Sequence, residues 1–264
     1  MRNVKANQLF RYLNDLFPQN TAEEWDKVGF QIPDVFTLPS QDYIKNVVVC
    51  MDVTSEVVDF AIEHDSNLII SRHPFIFQDM EIELNNKAKK NLYQKLVEKE
   101  IQVFSIHTNY DHSKHQSLKS LLENIFNIKQ INISEENSEL LEVELFEELE
   151  FEKIISNLKF IFGSQSSKLS CDLDLENSTN KFYIATGSAS SIMIEKSLRK
   201  TTFITGEAKW NDFIYAKENN VNLIVLGHYM ENYFIDDIQS KLNKTFNDEL
   251  TTYTYDIKNM WKIY

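Results

Sequence analysis

The chain has 264 residues, 42% hydrophobic and 25% charged, which excludes a disordered or fibrous polymer and favours two α/β lobes. Its net charge of −13 excludes the basic stripe of a nucleic-acid-binding surface, so a small anionic ligand must be met by local cations, either a bound metal or a few placed basic side chains. Two cysteines, Cys50 and Cys171, with no CxxC pair exclude a disulfide framework, and no apolar run approaches the ~18–20 residues of a membrane span.

Leu9, Phe10, Leu13, Leu16 and Phe17 recur at helical spacing rather than as the unbroken apolar stretch of a signal peptide, and Pro18 ends that helix. A cytoplasmic protein is the expectation. Residues 46–51 form a β-branched apolar run, which predicts a buried parallel strand with Cys50 as a small core residue. Thr54 then caps a helix through Val57, Val58, Ala61 and Ile62. Residues 67–71 predict the next strand, with Arg72, His73 and Pro74 in the loop at its end. A Lys-rich helix over 86–100, a strand over 101–106, a loop over 107–113 and a helix through Leu118, Leu121, Leu122 and Phe126 follow. His112 and His115 fall at that helix's start and read as solvated.

From Ser134 to Glu152 the chain turns strongly acidic, and Leu141, Val143 and Leu145 alternate with Glu as in an exposed edge strand. The remainder predicts a helix over 151–162, strands over 181–186, 201–205 and 221–226, helices over 208–219 and 231–242, and a last strand over 251–257. Strands alternating with helices predict mostly parallel sheets. The expected domains are 1–130, with 235–264 packing back on it, and 131–234. No P-loop, G-x-G-x-x-G or G-x-S-x-G elbow is present, and the turn Gly187-Ser188-Ala189-Ser190-Ser191 is only a weak anion-binding signal.

A shift of 155 positions aligns the two halves around their strand ends: Asp52 falls on Glu207, Ala61 on Ala216, Glu63 on Glu218, Asn67 on Asn222, Ile69 on Ile224 and His73 on His228. The acid-to-histidine separation is 21 residues in both. Two similar α/β lobes related by an internal pseudo-repeat are the reading, with the strand-end histidines facing a metal cleft; the alternative is chance agreement of two generic strand–helix–strand units.

Ligands of parallel sheets bind outside the carboxyl ends of the strands. Three loops there carry polar residues: Arg72-His73-Pro74, His107 through Asp111, and Gly227 through Asn232. Histidine and carboxylate from separate loops are ligand types shared by Zn, Fe, Mn and Ni, which the sequence does not distinguish.

At these residues the chain resembles the Nif-like family of GTP cyclohydrolase 1 type 2 homologues. The matching segments are EEWDKVGFQ (23–31), CMDVTSEVVDFAI (50–62), NLIISRHPFIF (67–77), IHTNYD (106–111), and TGEAKWND through LIVLGHY (205–229). The resemblance implies a pair of α/β lobes, a dinuclear metal site in the cleft, a ring-shaped homohexamer, and a short form without an inserted domain. The family pattern has two histidines before proline, then an aspartate, then a histidine followed four residues later by glutamate. His73, Asp111 and His228 match it. Arg72 and Asn232 depart from it, and Glu231 stands one residue early. The expected metal set is therefore His73, Asp111, His228 and Glu231, holding at most one tightly bound divalent ion.

The activity implied is metal-dependent hydrolysis of a nucleotide-like or phosphorylated small molecule, with His107 or Glu207 as general base and Arg72 and Asn109 as substrate contacts. Arg72 suits a phosphate or carboxylate through its rigid fork and would exclude a second cation; alternatively it pairs with Asp111 or Glu231. The competing readings are a non-catalytic ring protein that binds a ligand or partner, and a metal-trafficking protein.

Overall fold

The computed structural model describes residues 4–35, 43–134, 139–164, 166–257 and Met260. The chain forms two compact units: the first runs to Gln116 and takes back Phe234–Ile257, and the second spans Ser117–Tyr233. In chain order the first unit contains β1 (Val4–Lys5), α1 (Ala6–Leu16), β2 (Gly29–Phe30), β3 (Tyr43–Ile44), β4 (Asn46–Cys50), α2 (Ser55–Glu63), β5 (Leu68–Ser71), α3 (Met80–Glu83), α4 (Lys87–Glu98), β6 (Gln102–Ser105) and α5 (Thr108–Asp111). The second contains α6 (Leu118–Ile125), β7 (Ile128–Ile133), β8 (Leu141–Glu150), α7 (Phe151–Phe162), β9 (Lys168–Leu169), β10 (Ser178–Ile184), α8 (Ser191–Glu195), β11 (Thr201–Thr205), α9 (Trp210–Glu218) and β12 (Val221–Val225). The chain then continues into α10 (Tyr233–Phe246) and β13 (Thr251–Tyr255), which return to the first unit.

The first unit is built on a five-stranded sheet of order β13-β4-β5-β6-β2, parallel except for β2. Its central strands are apolar on both faces because helices cover both. On one face Val48, Cys50 and Ile69 pack with Val57, Val58 and Ala61 of α2 and with Tyr93 and Leu96 of α4. Elsewhere Phe10 of α1 lies 4.7 Å from Phe30 and 5.1 Å from Phe104, ring centre to ring centre. Cys50 is fully buried, and desolvation pushes its thiol pKa well above the usual value, as befits an inert core residue. The helix starts are specified locally: Thr54 Oγ1 accepts from Val57 N–H at 3.4 Å, and Asn86 Oδ1 accepts from Ala88 N–H at 2.9 Å.

The second unit carries a six-stranded sheet of order β7-β8-β10-β11-β12-β9. Only β10-β11 and β11-β12 are parallel; the other three pairings are antiparallel. The expectation of mostly parallel sheets therefore describes the first unit, whereas the second is mixed. β8 is also not an edge strand. It lies between β7 and β10, with Leu141, Val143 and Leu145 buried on one face. Two of its glutamates are paired across the sheet: Lys181 and Asn132 hydrogen-bond Glu142, holding its carboxyl down at about 2, and Lys129 Nζ lies 2.7 Å from Glu144. Residues 135–138 of the acidic run lie outside the described residues. Because β7 pairs with β8, α6 and β7 belong to the second unit, and the division falls at Gln116/Ser117, before the expected boundary near 130.

A shift of 155 positions carries β4 onto β11 and α2 onto α9 end for end. The following strand pair is one residue out of step, since Val49 pairs with Ile70 whereas Ile204 pairs with Ile224. No helix among the described residues is long and apolar enough to cross a membrane.

Candidate metal centre

In the first unit, the loops after β4, β5 and β6 present their polar side chains at the carboxyl ends of parallel strands. His73 follows β5, and its Nδ1 lies 2.9 Å from Asp52 Oδ1 at the end of β4. A carboxylate on one imidazole nitrogen fixes the tautomer and ring plane, so Nε2 is the atom His73 would offer to a metal. His107, after β6, is held in the same way by a different acid: its Nδ1 lies 3.0 Å from Asp26 Oδ1. The Asp26 side chain is fully buried. Burial raises its pKa, but hydrogen bonds from His107 and Thr108 outweigh that and leave the carboxyl below its ordinary value. The His73 and His107 rings lie 5.5 Å apart, edge to face.

Arg72 and Asp111 are spent on each other. Arg72 is 2% exposed, and its Nη2 lies 2.8 and 2.6 Å from the two Asp111 carboxylate oxygens. Its Nη1 donates to the His107 carbonyl, and its guanidinium lies 5.4 Å from the centre of the Tyr110 ring. Of the two roles left open for Arg72, the structure shows the pair with Asp111: a buried guanidinium needs a carboxylate partner, and Asp111 supplies it. Asn109 is also engaged within the loop. It is 1% exposed, donates to the Phe17 carbonyl at 2.8 Å and accepts the His107 N–H at 2.9 Å, so its amide shapes the loop. His112 is not merely solvated either, since its Nε2 lies 3.0 Å from Glu23 Oε1.

The second unit repeats the acid–imidazole pairing. His228 follows β12, and its Nδ1 lies 3.1 Å from Oε1 of Glu207, which follows β11. Its Nε2 lies 3.1 Å from Glu231 Oε2. The turn His228–Asn232 is a 3-10 helix, in which side chains three apart eclipse. That tightening puts Glu231, not Asn232, beside His228. Asn232 is left with a buried side-chain oxygen that has no hydrogen-bond partner among the described residues. Glu231 is 4% exposed and fits because Gly187 has no side chain: a Cβ there would sit 2.4 Å from Glu231 Oε1, and the backbone φ of +70° already favours glycine.

An imidazole with carboxylate oxygens at both nitrogens is satisfied either as the imidazolium or with a cation in place of one proton. Metal–nitrogen and metal–oxygen bonds of ~2.0–2.2 Å bring neighbouring ligand atoms to about 3 Å of each other, which the His228–Glu231 pair matches. With a cation at Nε2, Glu207 at the other nitrogen would be the outer carboxylate that orients His228.

A family model described as Duf34/NIF3 (NGG1p interacting factor 3) matches residues 4–260. The chain belongs to the Duf34/NIF3 family. It is 28% identical over 250 residues to a GTP cyclohydrolase 1 type 2 homolog of Mycoplasmopsis pulmonis, covering 94% of this chain and 97% of the relative. It is 29% identical over 251 residues to the protein of the same name from Ureaplasma parvum, covering 93% and 92%. Among solved structures, a Bacillus cereus protein related to NIF3 superposes with a TM-score of 0.83 over 99% of both chains, at 15% identity, which shows a shared fold.

Within this NIF3 chain, sequence reasoning named His73, His107, Glu207, His228 and Glu231 in the loops after the strands, and each of these five lies within 3.1 Å of a carboxylate or an imidazole. It missed Asp26 and Asp52 as site residues. Asp52 carried a signal, its 21-residue separation from His73, which equals that of Glu207 from His228. Asp26 lies 81 positions from His107, and no periodicity links the two.

Proposed function

We propose that this NIF3 protein binds one divalent cation per chain and acts as a metal-dependent hydrolase on a nucleotide-like or phosphorylated small molecule. The observation that carries the reading is His228, oriented by Glu207 at one nitrogen and set against Glu231 at the other. His228 and Glu231 would hold the ion. Asp111 is withdrawn from the set by Arg72. A bound divalent cation lowers the pKa of a coordinated water and polarises the scissile group.

The chain's own residues handle protons at His107. Asp26 engages Nδ1, so the imidazole can accept a proton at Nε2, the arrangement of an acid-oriented general base. The equal offsets of β4–α2 and β11–α9 support an internal duplication, which would give each half its own acid-held histidine. Assembly as a homohexamer is the expectation carried over from the family resemblance.

One observation favours a second reading, a ligand-binding protein without turnover. The buried Arg72–Asp111 pair occupies two positions that the family resemblance gives to metal ligands, which favours a site with fewer ligands than a dinuclear centre needs. Incubation with a nucleotide panel in the presence of Zn, Fe, Mn or Ni separates the two readings. Hydrolysis that disappears with His228→Ala and with chelator supports the enzyme; ligand-induced thermal stabilisation without product supports the binding protein.

A further inference from the structure

We propose that the cavity of about 300 Å³ beside His228 in the second unit is an oxyanion subsite that receives the phosphoryl group of the ligand, read by Ser166, Ser167 and Lys168. The proposal rests on the reading of His228 as the working centre and names which group of the ligand lies next to it. One wall is Ser166, Ser167 and Lys168; Gly206, Glu207 and His228 are among the residues of the others. None of the three side chains on the first wall has a hydrogen-bond or ion-pair partner among the described residues. Two half-buried serines and an exposed lysine that line one cavity can offer two hydroxyls and an ammonium to a bound ligand.

The register of the sheet fixes where they stand. β9 pairs antiparallel with β12, Lys168 opposite Val225, so the segment lies at the carboxyl end of the strand that delivers His228. That is where ligands of parallel strands bind. Lys168 is the one lysine or arginine lining this cavity among the described residues, and the Glu207 carboxylate that also lines it is engaged by His228. In a chain of net charge −13, a lysine beside two hydroxyls supplies the local positive charge that an anion needs. Three donors from consecutive residues match the peripheral oxygens of a phosphoryl group better than the two oxygens of a carboxylate. The volume is at the small end for ligand pockets and holds the phosphoryl end of a larger molecule.

The test is a titration of the full chain, as purified and again after chelation, with inorganic phosphate and with a nucleoside monophosphate, followed by calorimetry. Lys168→Ala weakens both ligands about tenfold or more, as expected for loss of a charge-assisted hydrogen bond. Ser166→Ala/Ser167→Ala weakens them by a smaller factor, and Lys89→Ala in the first unit changes nothing. Equal affinity in Lys168→Ala and the unsubstituted protein overturns the proposal, as does phosphate binding that is lost on chelation and indifferent to Lys168. Metal content measured on the same samples keeps the two claims apart: a chain that holds no metal but binds phosphate through Lys168 contradicts the metal centre and leaves the subsite standing.

Discussion

The Arg72 guanidinium and the Asp111 carboxylate form a buried ion pair, with Nη2 2.8 and 2.6 Å from the two carboxylate oxygens and side-chain exposures of 2% and 13%. Removing one partner of such a pair leaves an uncompensated charge in a low-dielectric site. Arg72→Ala is expected to cost roughly 3–5 kcal/mol of folding stability, read from urea unfolding. A loss within ~0.5 kcal/mol, the range of ordinary surface substitutions, would show that water already screens the pair.

The same pair bears on how many metal ions the proposed site can hold. Replacing Arg72 with histidine frees Asp111 and restores a neutral nitrogen ligand, and replacing Asn232 with glutamate adds a carboxylate where a buried amide oxygen now has no partner. The double variant Arg72→His/Asn232→Glu is expected to bind one metal equivalent more than the unsubstituted protein. Unchanged metal content in a folded double variant means that these two residues are not what limits the site.

Gly187 is the position where a single methyl group reports on Glu231. Its Cβ would stand 2.4 Å from Glu231 Oε1, at a φ of +70°. Gly187→Ala displaces the carboxylate and is expected to weaken metal binding by about 10–100-fold, the range seen when partners of metal ligands are disturbed. A competition assay with a metal-sensitive dye reads this directly. Identical affinity in the variant would remove Glu231 from the ligand set.

Asp26 links the candidate base to pH. Its carboxyl lies below the ordinary value because the hydrogen bonds of His107 and Thr108 outweigh the cost of burial. A group depressed in the folded state contributes stability that is present above its unfolded pKa and lost as pH falls through the folded one. Asp26→Asn should therefore flatten the acid side of the stability profile below about pH 4, and in any active preparation lower kcat more than it raises KM. An acid limb as steep in Asp26→Asn as in the unsubstituted chain contradicts this assignment.

Much of the first unit was legible because its central strands are unbroken apolar runs and α2 carries its own cap, Thr54. The helix expected over 151–162 coincides with α7, whose apolar spacing and terminal Gly163 leave little choice. The second sheet was harder. Leu141, Val143 and Leu145 announce a strand with one buried face, but alternation does not say whether its edges are paired, so β8 read as an edge. At the site, loop position exposed the histidines, while the choice of Glu231 over Asn232 depends on a 3-10 turn that no local pattern marks. The burial of Arg72 was likewise not readable, because a loop arginine beside a histidine looks the same whether it faces a ligand or an aspartate.

The most direct test of the metal centre is the metal content per chain after purification and exhaustive dialysis, measured in parallel for the unsubstituted protein, His228→Ala and Glu231→Gln. About one tightly held divalent ion in the unsubstituted chain, and far less in both variants, is the predicted result. No retained metal in the unsubstituted chain, or the same content in all three proteins, would contradict the account.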